Sequence, residues 1–346
     1  MKSHTLRLLT LIFCVVLLGV SVVTAQNPRV GGVAAPELLI PVGARDMALG
    51  GSSLAVTQGV EAMFWNPAGL IKMTGSAEAM VSSMSYIADI NVTYGAVAGK
   101  FGDFGDVGVS IKSLSFGNIP LTSETDPEGL SGRFYSPTYI TMGLSYARDL
   151  TDAVSVGITA KLISEQIDQV SSSGFAFDFG IQYKGLIQVK GLSIGLAIKN
   201  IGSGMTFNGP GLYVSAVDQN ASRPVQKYQL QAATFELPAT VDIGLTYERN
   251  FGDNFVGSVS GAFVNNNLYY DEYRGGLELG YNMEGFQIQG RVGYLNQPKA
   301  DENIFGATFG VGIAYKTGNT GIVFDYGYRQ VQYFAANNVF SVKVQF

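Results

Sequence analysis

The side chains that carry most enzyme chemistry are almost missing from this chain. His4 is its only histidine and Cys14 its only cysteine, and both fall in a stretch built like a secretory signal. Lys2 and Arg7 form the basic start, Leu8 to Val23 the apolar core, and Val23-Thr24-Ala25 a small-residue cleavage site. Polar Gln26-Asn27-Pro28-Arg29 follows with no basic stop-transfer cluster, so residues 1–25 are expected to be removed. Leu11-Ile12-Phe13 before Cys14 lacks the small residues of a lipoprotein signal, so no lipid anchor is expected. Without His and Cys, thiol catalysis, disulfides, Cys/His zinc sites and Ser-His hydrolysis are excluded together. No enzyme activity, metal or cofactor is expected. The acidic pairs Asp126 with Glu128 and Asp271 with Glu272 lack a partner base and read as solvated loop charge. The glycines between Gly306 and Gly312 lie within a strand pattern, which is the wrong setting for a nucleotide loop.

The chemistry that remains is charge of both signs recurring at one parity: Lys112, Lys161, Asp178, Lys199, Asp242, Glu248, Arg274, Glu278, Arg291, Lys316, Asp325, Arg329 and Lys343. A charge facing lipid at mid-depth costs about 2–4 kcal/mol. Their shared parity therefore points them into an enclosed lumen. Mixed signs suit pairing across that lumen, or around a plug, better than an ion pathway, which needs a ring of one sign. Loss of the signal leaves the formal charge two units more negative than −5. A mildly acidic chain poor in Lys and Arg is not built for nucleic acid.

These charges must be positioned by strands. Only 14% of residues are charged and 44 are glycine, yet after the signal no stretch approaches the ~20 apolar residues of a membrane helix. From about residue 76 the chain breaks into alternating segments of strand length. Val241, Ile243, Leu245 and Tyr247 oppose Asp242, Gly244, Thr246 and Glu248; Phe175, Phe177, Phe179, Ile181 and Tyr183 oppose Ala176, Asp178, Gly180 and Gln182. About fourteen strands are expected, the first pair alternating poorly. Connections alternate in length: 102–106, 149–153, 250–254, 282–285 and 316–320 are short, whereas 119–137, 203–236 and 295–304 are long. Outer-membrane barrels have short periplasmic turns and long outside loops, and the short set is expected on the side of both chain ends. Tyr146, Tyr183, Tyr247, Tyr281, Tyr294 and Tyr315 end outward rows, where an interfacial girdle lies. The fold class is all-β: a transmembrane antiparallel β-barrel of about 14 strands over 76–346, in contact with outer-membrane lipid, preceded by a hatch over 26–75.

That preceding segment is rich in small residues and turn signals. Gly43-Ala44-Arg45, Gly50-Gly51 and Trp65-Asn66-Pro67-Ala68-Gly69-Leu70 resemble the start of the PorV/PorQ family, within the FadL-like outer-membrane superfamily. The resemblance is strong over residues 38–72 and extends loosely to Phe346. It implies a hatch plugging a fourteen-stranded barrel, with Asn66, Pro67 and Ala68 as its motif. The last strand, Val339 to Phe346, alternates without a fault and ends on Phe346. It resembles the closing strand that the barrel-assembly machinery of bacterial outer membranes receives. For function the resemblance implies either handling of secreted cargo or secretion-system subunits through loops 119–137 and 203–236, or passive transport of a hydrophobic small molecule. Phe207, Leu212, Tyr213 and Val214 suit both. The expected location is the bacterial outer membrane.

Overall fold

The computed structural model describes residues 32–216, 224–298 and 303–346; the expected signal peptide and the first residues of the segment after it lie outside these. Fourteen strands follow one another round a closed antiparallel barrel. They are β1 (Ala77–Ser85), β2 (Asn91–Lys100), β3 (Asp106–Ser115), β4 (Thr138–Asp149), β5 (Val154–Ile167), β6 (Val170–Lys184) and β7 (Leu192–Gly202). The second half comprises β8 (Thr240–Phe251), β9 (Phe255–Asn266), β10 (Glu272–Met283), β11 (Phe286–Asn296), β12 (Phe305–Thr317), β13 (Thr320–Val331) and β14 (Asn337–Gln345). The sheet closes where β1 pairs with β14, from Glu78 opposite Gln345 to Ser85 opposite Asn338. Phe346 extends the seam: its carbonyl accepts from the Ser76 N–H at 2.5 Å and its own N–H reaches the Ala77 carbonyl at 2.9 Å.

Alternation places side chains as the period-2 rule requires. On β8, Thr240, Asp242, Gly244 and Thr246 are buried toward the lumen, while Val241, Ile243, Leu245 and Tyr247 point outward. Two local features depart from the alternation read in the sequence. The β5 and β6 strands run well past Leu162 and Phe175 to a two-residue turn at Asp168-Gln169, with Asp168 at φ +47°. On β7 a bulge places Lys199 and Asn200 in succession on the lumen side, Asn200 standing at φ +61°.

The segment before β1 lies inside the barrel and runs along it. Val33 bridges Glu236 at the outer end, whereas Gly75 and Ser76 meet Phe346 at the other. The short turns therefore share their side with the two ends of the sheet, but the first described residues stand at the outer mouth. The N-terminal end of the chain, expected on the short-turn side, lies outside the described residues. It contains two short helices, α1 (Ala44–Ala48) and α2 (Ala62–Trp65), and 3₁₀ turns at Pro36–Leu39, Gly59–Glu61 and Pro67–Lys72. Gly50 and Gly51, at φ +67° and +73°, end α1, and a Cβ on Gly51 would stand 2.7 Å from the Trp65 ring. Apolar side chains seat the segment against β1 to β3. Ile40 and Met47 pack with Met84, Val92 and Leu114, and Val60, Met63 and Leu70 with Met80 and Tyr94.

Candidate functional site

The lumen is organised around Asn66, which is fully buried. Pro67 restrains the preceding residue to extended backbone, and Asn66 accordingly sits at φ −156°, ψ 102°, capping the following turn through its Oδ1, which accepts from Ala68 N–H at 3.2 Å. Its Nδ2 donates to the carbonyls of Leu54 and of Ile181 on β6, both at 3.1 Å. Two wall glycines make room. A Cβ on Gly180 would fall 2.1 Å from Asn66 Oδ1, and one on Gly157 2.3 Å from the Pro67 carbonyl carbon. Trp65 completes the seat by donating from Nε1 to the Val42 carbonyl at 3.1 Å.

Most of the charges singled out from the sequence have a partner around this segment. Lys161 meets Asp178 at 2.5 Å and Lys199 meets Asp242 at 2.7 Å. Glu278 takes Arg45 at 3.0 Å and Arg291 at 2.5 Å, and Arg291 continues to Asp325 at 2.6 Å. Lys343 on the closing strand reaches Glu61 at 3.0 Å, while Lys112 donates to the carbonyls of Glu37 and Ile40 at 2.5 and 2.6 Å. Arg274 pairs with Glu272 at 2.5 Å. Arg329 meets no carboxylate at ion-pair distance among the described residues; its guanidinium lies 4.0 Å above the Phe305 ring. Glu248 and Lys316 continue the parity but are exposed at the short-turn rim, where the wall no longer encloses them, so they are not lumen groups. The partners overlooked in the sequence are Glu37, Arg45, Asp46 and Glu61. Charges set in an otherwise small and apolar segment were the available signal, because such groups are buried only when partnered. Asp46 accepts from Ser53 and from Thr57, the latter at 3.0 Å.

Above the segment an outer chamber of about 400 Å³ opens between its Pro36–Pro41 stretch and the wall, lined by aromatics such as Trp65, Tyr86, Phe116 and Phe305, with Arg274 and Arg329 at its side. Outside the barrel, the described parts of the two long loops carry local strand pairings. Residues 119–135 carry a two-stranded pairing of Ile119–Pro120 with Phe134–Tyr135. In it, hydrogen bonds from the Ser131 side chain, and then from the Ser131 and Leu130 backbone, hold the Asp126 carboxyl below its usual range. The 203–236 loop carries a hairpin pairing Tyr213–Ala216 with Gln226–Gln229. Tyr213 and Val214 are exposed, Phe207 and Leu212 half-buried. Leu130, Phe134, Val225 and Leu230 are also exposed apolar residues on these loops.

A family model described as type IX secretion system protein PorV matches residues 23–226. Among solved structures, the CymD monoaromatic hydrocarbon channel superposes with a TM-score of 0.61 at 15% identity, covering 89% of this chain and 98% of its own. The Ralstonia pickettii toluene transporter TbuX gives 0.58 at 16% identity, over 88% of this chain and 98% of the other. The P. putida toluene transporter TodX gives 0.57 at 13%, over 88% and 99%. At these identities the likeness speaks for the fold alone. No relative matches among curated proteins.

Proposed function

The chain belongs to the PorV family of type IX secretion system proteins, and from that premise we propose that it is a stoppered outer-membrane barrel whose outside loops receive secreted cargo or other secretion subunits. In this reading Asn66, Pro67 and Ala68 seat the hatch, the lumen charges hold it, and Phe346 presents the closing strand to the barrel-assembly machinery. The observation that carries the reading is a division of labour. Among the lumen charges, Lys161 engages Asp178, Lys199 engages Asp242, Arg291 engages Asp325, and Lys343 engages Glu61 of the N-terminal segment. Apolar side chains offered to a partner, among them Leu130, Phe134, Tyr213 and Leu230, stand instead on the outside loops. Exposed apolar groups clustered on outside loops are typical of protein interaction sites. The test is purification from detergent-solubilised membranes of the native host. Recovery of secretion subunits or cargo tails is expected; bound hydrocarbon with no protein partner sinks the reading.

The outer chamber favours a second reading, passive transport of a hydrophobic small molecule. Its aromatic lining and volume of about 400 Å³ suit a small apolar ligand. Faster uptake of toluene into cells carrying the barrel, abolished by filling the chamber, supports this reading; uptake equal to that of barrel-free cells removes it.

A further inference from the structure

The outer chamber holds one cation with no anion to match it. Arg329 is buried on β13, and among the described residues no carboxylate stands at ion-pair distance from it. The other charged groups of the lining are taken up elsewhere. Glu272 accepts from Arg274 at 2.5 Å and from the Gln297 amide at 2.9 Å. Lys199 has Asp242 at 2.7 Å. Glu37 faces Glu165 of β5 and Lys112 of β3. The charge of Arg329 is left over.

What touches Arg329 orients it without neutralising it. Asn337, its neighbour across the sheet, turns its amide oxygen to the guanidinium and accepts from Nε at 3.2 Å and from Nη2 at 2.7 Å. The Phe305 ring covers one face at 4.0 Å, and the Tyr86 ring lies 5.7 Å away. Both polar groups against the guanidinium, the Asn337 amide and the Tyr86 hydroxyl, are uncharged. A buried charge is costly unless paired. A guanidinium stacked on a ring keeps its edge for a planar, two-oxygen acceptor. Around it the chamber is aromatic. Tyr86 and Phe305 stand 6.4 Å apart, Phe116 and Tyr139 4.8 Å apart, and such faces pack well against a flat ring.

We propose that the outer chamber is a binding site for a small aromatic carboxylate, its two oxygens on the Arg329 guanidinium and its ring among the chamber aromatics. One unmatched positive charge calls for one negative charge. A phosphate dianion would exceed it, and a neutral ring would leave Arg329 as it stands. A space of about 400 Å³ is at the small end for ligand sites and suits a single ring. The inference rests on the chamber being a ligand site, as in the transport reading, and adds the charge and shape of the ligand.

Fluorine NMR titration of the full barrel in phosphatidylcholine nanodiscs tests it with probes of one shape: 4-fluorobenzoate, 4-fluorotoluene and 4-fluorobenzylamine. The benzoate is expected to bind at least tenfold more tightly than the toluene, and the amine to show no binding. Arg329→Gln should cut benzoate affinity at least tenfold and leave toluene affinity within twofold. Arg329→Lys keeps the charge but not the fork, and should fall between parent and Arg329→Gln. Phe116→Trp narrows the chamber without touching Arg329 and should weaken benzoate and toluene alike. Heat-modifiable migration reports an intact barrel in each variant. Toluene bound as tightly as benzoate overturns the proposal while leaving the chamber an apolar ligand site; binding of neither probe removes both. Benzoate affinity unchanged in both Arg329→Gln and Phe116→Trp places the acid elsewhere and also overturns it.

Discussion

The Asn66 amide bonds directly to the Ile181 carbonyl of the wall, 3.1 Å away, over a glycine that has no side chain to keep them apart. One side chain thus caps a turn of the N-terminal segment and ties that turn to β6. Asn66→Ala removes all three bonds and leaves the buried Ala68 N–H without its acceptor, while the Leu54 carbonyl keeps its bond from Gln182, for a loss of about 1–3 kcal/mol. Denaturant unfolding of the purified barrel should show a fall of that order. Gly180→Val should act through the seat instead. With Ala68→Cys as a reporter, a membrane-impermeant thiol reagent should label the valine variant at least several times faster than its Gly180 parent. Equal labelling of the two would show that the seating of the N-terminal segment does not depend on this contact.

The Lys199–Asp242 pair, buried and 2.7 Å apart, separates two accounts of the lumen charges. If the pair holds local structure, Lys199→Met leaves Asp242 buried without its cation, which costs about 3–5 kcal/mol. The double change Lys199→Met with Asp242→Leu should recover most of that loss, since an apolar pair of similar volume replaces a desolvated one. Urea or guanidinium unfolding of the three variants makes the comparison. A double variant no more stable than Lys199→Met would mean that the charges act through longer-range fields rather than as a pair.

Much of the barrel was legible because its outward rows are apolar and its lumen rows are not. β8 reads cleanly as Val241, Ile243, Leu245 and Tyr247 against Asp242, Gly244 and Thr246. β1 and β2 read only weakly, and the reason is physical. Met84, Val92 and Tyr94 face inward onto the N-terminal segment while Ser83 and Thr93 face out, so the usual sign of the alternation is reversed. The bulge at Asn200 was hidden because Lys199 and Asn200 are both polar, and two polar neighbours look like a strand end. The outer extensions of β5 and β6, through Glu165 to Ser173, are polar on both faces, so no periodicity marked them as strand. In the lumen, the wall charges were visible by parity, but their partners Arg45 and Glu61 lie on a segment with no period to place them.

The closure of the barrel rests on a position where only glycine fits. Gly75 stands at φ +75°, and a Cβ there would lie 2.1 Å from the Phe346 carbonyl oxygen. That oxygen accepts from Ser76, and the Phe346 N–H bonds Ala77. Gly75→Val should therefore open the lower end of the β1–β14 seam, and deletion of Phe346 should do so by removing its bonds. Both variants are expected to reduce the heat-modifiable, folded fraction in outer-membrane preparations, the deletion more severely. Normal folded yield from both would show that the eight residue pairs from Glu78–Gln345 to Ser85–Asn338 close the barrel unaided.

The outside hairpin can be removed without touching the wall, and this gives the sharpest separation of assembly from partner binding. Tyr213–Ala216 pairs with Gln226–Gln229 rather than with a barrel strand. At its base, Asn208 bridges Ser171, and Met205–Thr206 pairs with Thr234–Phe235. Replacing residues 213–229 with a short Gly-Ser linker keeps those lower pairings and the Gly211 N–H bond to the Gln169 carbonyl. Loop length itself costs little, about 0.6 kcal/mol per doubling. The folded fraction and unfolding midpoint of the barrel should stay within error of the parent, while recovery of secretion subunits or cargo on co-purification falls at least tenfold. Val225→Ser with Leu230→Ser removes exposed apolar surface without shortening the loop, and should produce a smaller loss in the same direction. Full recovery of partners from both variants would move the contact to loop 119–137, where Leu130→Ser and Phe134→Ser are the corresponding changes.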